Sequence, residues 1–98
     1  MNTIERIEKV FAALQAVKDA GGARVSANID DVSLADMLAI CEHYGLEPSR
    51  GTWWSVGVHK DDAQVMVFSE RIGPDYPKPS SLQQLRMDVA KQTSNAAA

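Results

Sequence analysis

The chain has a single cysteine, Cys41, in 98 residues. One thiol excludes an internal disulfide framework and fits a reducing compartment, so the expected location is cytoplasmic. No apolar run approaches the ~18 residues that a membrane-spanning helix needs, so no membrane partner is expected. The opening residues, MNTIERIEKV, carry carboxylates and no apolar stretch, and are not expected to form a secretory signal. There is no CxxC and no HExxH, so no metal ligand set is expected. Gly21-Gly22 follows a helical pattern and precedes a strand, the reverse of a phosphate-binding loop, and no cofactor is expected either. Basic residues are missing from one long stretch. Between Val25 and Ser49 there is no Lys or Arg, while Asp30, Asp31, Asp36, Glu42 and Glu47 all fall there.

What is present is ordinary for a folded domain: 45% apolar and 23% charged residues. The expected organisation is one small α+β domain over 1–91 and a flexible C-terminal tail over 92–98, QTSNAAA. The net charge of −3 favours solubility and opposes binding to duplex DNA by bulk charge.

Apolar residues at helical spacing, Ile4, Ile7, Val10, Phe11, Leu14 and Val17, predict a first helix. Asn2 with Glu5 resembles a capping box, and Gly21-Gly22 supplies the stop. Arg24 to Ile29 alternates as a half-buried strand with Val25, Ala27 and Ile29 inward. Ser33 is the natural N-cap of a second helix over Leu34 to Tyr44, with Leu34, Met37, Leu38 and Cys41 as its buried stripe. Gly45 suits a left-handed cap on which Leu46 packs back. After the proline-stiffened connector from Gly73 to Ser80, Ser81 and Gln84 predict a short last helix to about Lys91, with the stripe Leu82, Leu85 and Val89.

Between these lies the segment Thr52 to Ile72, which predicts a β-hairpin turning at Lys60-Asp61-Asp62-Ala63. Pairing Val58 with Val65 sorts the side chains onto two unlike faces. Trp54, Val56, Val58, Val65 and Val67 make a core face. Trp53, Ser55, Gly57, His59, Gln64, Met66, Phe68 and Glu70 make the other, where Gly57 opposite Met66 leaves a shallow dent. The predicted order is α-β-α-β-β-α, with a three-stranded, largely antiparallel sheet and helices packed on one face. The last helix is expected either to lie across the second face or to leave it open.

Catalytic patterns are thin, and the expectation is a chain that is not an enzyme. Asp30-Asp31 and Asp61-Asp62 read as hydrated turn residues, and Cys41 and His43 point in different directions on one helix. Two nucleic-acid readings exist. DMLAICEHYGLEPSRGTWW resembles a helix-turn-helix with Arg50 on the second helix of a winged-helix-like domain. Alternatively Trp53, Phe68 and His59 form a base-stacking platform edged by Arg24, Arg50 and Arg71. The preferred reading is a protein–protein module, because Trp, Met, Phe and Arg are enriched at interface centres. Its candidate binding residues are Trp53, His59, Met66, Phe68, Arg24 and Arg50, and its partner is another protein or a second copy in a homodimer. In type, a small acidic α+β chain without catalytic machinery is similar to phage and mobile-element accessory proteins that inhibit or modulate a host protein.

Overall fold

Helix α1 (Thr3–Asp19) starts at Asn2. The Asn2 Oδ1 accepts from the Glu5 amide at 2.8 Å, and the Asn2 side-chain amide donates to Glu5 Oε1 at 3.1 Å. That exchange satisfies one of the amides a helix start leaves unpaired. Ile7, Phe11 and Leu14 are buried, with Ile4 and Val10 packed alongside. Val17, expected in the same stripe, is 53% exposed. The chain reverses there instead of crossing the core: Gly21 takes φ 118°, and the Gly22 amide donates to the Val17 carbonyl.

The computed structural model describes residues 2–22, 24–70 and 81–97, with side chains of the last helix as far as Lys91. After α1 come β1 (Val25–Val32), α2 (Leu34–Tyr44), β2 (Ser49–Arg50), β3 (Trp54–Lys60), β4 (Ala63–Ser69) and α3 (Leu82–Ala97). Arg71 and the connector predicted over 73–80 lie outside the described residues.

The class is α+β, but the sheet has four strands and is mixed, in the order β1-β4-β3-β2. The expected three-stranded, largely antiparallel sheet is corrected on two counts. Strand β1 runs parallel to β4, because α2 and β2–β3 carry the chain across the sheet between them. Strand β2 adds a short antiparallel edge, Ser49 opposite Ser55 and Arg50 opposite Trp54. Ser49 and Arg50 therefore belong to a strand and open no recognition helix, which removes the helix-turn-helix layout. Gly51, Trp53 and Trp54 are poor helix residues, and their segment pairs with β2 instead.

The hairpin forms in the expected register, Val58 opposite Val65, around a two-residue turn in which Asp61 takes φ 54°. Trp54, Val56, Val58, Val65 and Val67 are all buried and join Val25, Ile29, Ile7, Phe11 and Leu14 in one core. Helix α2 contributes Leu34, Met37, Ile40 and Cys41. Ile40 replaces Leu38, which is only partly buried, as the fourth member of that stripe. The α2 caps are as predicted: Ser33 Oγ accepts from the Asp36 amide at 3.2 Å, and Gly45 is left-handed at φ 66°.

Helix α3 packs beside α2 on this same side of the sheet, with Leu85 fully buried and Leu82 and Val89 against the core. Three contacts hold it. The Leu82 amide donates to Glu47 Oε2 at 2.7 Å, and Arg86 pairs with Glu42 of α2 at 3.5 Å. The third is the fully buried Trp54, whose indole Nε1 donates to Asp88 Oδ2 at 3.2 Å. Arg50 reaches the same oxygen at 3.6 Å and lies over the Trp54 ring at 5.7 Å, while Gln84 donates to Asp88 Oδ1 at 3.0 Å. The helix continues to Ala97 instead of giving way to a tail after about Lys91. Gln92 to Ala97 contains no glycine or proline to stop it.

Two weak acids on α2, the buried Cys41 and the partly buried Tyr44, give the fold an alkaline pH response. Burial, with Glu47 and Glu42 nearby, pushes the Cys41 thiol up from its ordinary value near 9 to about 11. Burial and its hydrogen bond to Glu8, 2.7 Å, push the Tyr44 phenol upward too. Both folded-state values exceed the unfolded ones, so the folded state holds these protons more tightly. Stability is expected to be full below about pH 9 and to fall as pH rises toward 11. Denaturant midpoints from neutral pH upward measure this, and Cys41→Ala with Tyr44→Phe should flatten the decline. Trp54→Ala is expected to cost about 3–5 kcal/mol in the same assay, and Trp53→Ala under about 1 kcal/mol.

Candidate functional site

The second sheet face is a grid set by register. Ser26, Gln64 and His59 form one row, and Asn28, Met66 and Gly57 the next. Phe68, Ser55 and Ser49 form the third row, with Trp53 just beyond it. Every member is exposed or half-buried. No described helix covers the face, because α3 lies on the other side of the sheet. Of the two placements open to the last helix, the structure has the one that leaves Met66 and Phe68 without a roof of Leu82, Leu85 and Val89: Asp88 and Leu85 hold α3 to the Trp54 side.

Of the six candidate residues, five face this way and one does not. Arg50 is opposite Trp54 in the register, so strand alternation puts it on the core side, where its side chain is buried against the Trp54 ring and Asp88. It is a structural residue, and the sequence hid this because the two-residue strand that orients it has no pattern of its own.

Four of the other five divide between two ends. Trp53 is 45% exposed and meets Phe68 edge to face, ring centroids 6.1 Å apart at 83°. Such T-shaped pairs set the positive edge of one ring against the negative face of the other. Arg24 and His59, both exposed, lie at the far end, around a cavity of about 400 Å³ shared with Ser26, Asp61, Asp62 and Gln64. Met66 lies between the two ends. Its sulfur lies 3.0 Å from where a Cβ on Gly57 would be and accepts from the Gln64 side-chain amide at 2.9 Å. The dent expected at Gly57 is thus partly filled by the Met66 side chain, which would have to shift for any larger residue at 57.

Two residues here were missed from the sequence. Asp30 and Asp31 were read as turn residues, but they lie inside β1. Ile29 pairs with Val67 and Val32 with Ser69, so β1 spends three steps where β4 spends two. This is a β-bulge, and it lets Ile29 and Val32 both point into the core while both aspartates face outward. Asp31 occupies the extra position with φ 56°. The signal was present: two buried apolar residues three apart cannot both face inward in a regular strand, and aspartate tolerates a left-handed backbone. With Trp53, Phe68 and Ser69 the two aspartates line a second cavity of about 400 Å³.

Among the described residues there is no group of three or more His, Cys, Asp or Glu side chains placed to hold a metal ion, and no helix long and apolar enough to cross a membrane. Comparison of the chain with protein-family models, with curated proteins and with solved structures finds no match in any of the three.

The bulge makes a direct prediction. Asp31→Gly should leave stability within about 1 kcal/mol, whereas Asp31→Val should destabilise by about 1–3 kcal/mol, since a β-branched residue is strained at positive φ. Urea unfolding of the two variants measures the difference.

Proposed function

We propose that the protein is a non-catalytic protein-binding module whose working surface is the Trp53/Met66/Phe68 face. The observation that carries this reading is the position of α3. It completes the core on the Trp54 side, and the other face keeps an exposed tryptophan against a half-buried phenylalanine and methionine with no described helix over them. Contiguous apolar groups rimmed by polar residues mark interaction sites on small soluble domains. Ser26, Asn28, Ser55 and Gln64 supply the polar surround, and the ring pair supplies rigid contact area of the kind that dominates binding energy. The partner is another protein, and binding of this kind modulates the partner by covering part of its surface.

Tagged protein incubated in lysate of its source should retain a partner. Trp53→Ala with Phe68→Ala should release it while the unfolding midpoint stays near that of the parent chain. Retention of the partner by the double variant would place the interface elsewhere. Light scattering over a range of concentrations separates a heterologous partner from self-association, since a homodimer through this face would dissociate in the double variant.

A further inference from the structure

The two ends of the working face differ in charge, and one end has the chemistry of a cation receptor. At the Trp53 end, the cavity of about 400 Å³ is lined by two acidic residues, Asp30 and Asp31, and two aromatic ones, Trp53 and Phe68, with Ser69. No basic residue is among its described lining residues, and among the described residues neither carboxylate has an ion-pair partner. The far cavity is different, because there Arg24 and His59 already stand beside Asp61 and Asp62. The acid–aromatic end thus offers negative charge and aromatic rings together, from residues in or next to the strands β1, β3 and β4.

Resting on the protein-binding reading above, we propose that this cavity captures an arginine side chain presented by the partner protein. A planar guanidinium suits both kinds of group. It stacks on an aromatic face, tryptophan being the best of these, and its fork of N–H groups matches a carboxylate in two parallel hydrogen bonds. A lysine ammonium makes the charge contact but lacks both the flat face and the fork. The bulge is what assembles the receptor, because in a regular strand only one of Asp30 and Asp31 would face Phe68. The core on the other side of β1 holds that backbone in place through Ile29 and Val32.

The test uses the full chain and a blocked tripeptide carrying one arginine, compared with the same peptide carrying citrulline, its neutral isostere, and with one carrying lysine. Peptide is titrated to millimolar concentration while backbone and indole N–H resonances are recorded. The expected result is a saturable shift at the Trp53 indole and the Asp30 and Asp31 amides, strongest for arginine, weaker for lysine and absent for citrulline. Asp30→Asn with Asp31→Asn should weaken arginine binding by roughly tenfold or more, the scale of one lost charge-assisted hydrogen bond. Asparagine also tolerates the left-handed backbone at 31, so this variant keeps the bulge, which its unchanged Ile29 and Val32 resonances would show. Equal shifts with citrulline, shifts centred on the acidic face of α2, or no shift at all would each overturn the proposal. The broader binding reading fails separately. A partner still captured by the double asparagine variant, but released by Trp53→Ala with Phe68→Ala, removes the arginine and keeps the face.

Discussion

The hydrogen bond from the Trp54 indole to Asp88 ties the last helix to the valine-lined side of this sheet. A four-stranded sheet with three helices has two ways to bury its apolar surface, on one face or on both. The choice here turns on where α3 docks. Trp54 is fully buried, and its one donor must find a partner or carry the cost of an unsatisfied polar group. Asp88 provides that partner and is itself held by Gln84 and Arg50. Arg50 in turn closes over the Trp54 ring, so a short edge strand, the hairpin and the last helix meet at one partly buried carboxylate. With α3 committed there, nothing in the described chain remains to cover Trp53, Met66 and Phe68.

The second constraint is the parallel pairing of β1 with β4. It forces the helices onto the crossover side and lays β1 along the hairpin as an edge strand with its polar residues outward. Its bulge then turns an alternating strand into one with two consecutive outward carboxylates. The strain at Asp31 is tolerated because Ile29 and Val32 are both anchored in the core. A feature of backbone geometry thereby sets the charge at one end of the face, and the rest of the grid follows from register alone.

Much of this was legible in the residues. Side-chain alternation in TWWSVGVHKDDAQVMVFSE separates a valine-rich face from a mixed one whatever the rest of the chain does, so the hairpin register and the core role of Trp54 could be read directly. The caps at Asn2, Ser33 and Gly45 were equally plain, because each satisfies backbone groups within a few residues. Most of the misreadings concern partners distant in sequence. Arg50 belongs to the core because β2 pairs with β3, and two residues carry no periodicity from which to infer a strand. Asp30 and Asp31 looked like a turn because two adjacent aspartates usually are one, and the spacing of Ile29 and Val32 becomes a bulge only in register with β4. Ile40 displaced Leu38 because the buried arc of a helix depends on the angle at which the helix meets the sheet.

Local physical chemistry, then, determined the helices, their caps, the hairpin and the division of its side chains into two faces, since these depend on neighbours along the chain. It could not determine which face would be buried under α3, since Leu82, Leu85 and Val89 would suit either. That was decided by contacts between Trp54 and Asp88, 34 residues apart in the chain, and between Leu82 and Glu47, 35 apart. Such contacts exist only once the strands are ordered and the helix is laid against them. The tertiary structure therefore converted one polar–apolar sheet face, ambiguous in the sequence, into a surface open among the described residues with an acidic, aromatic end.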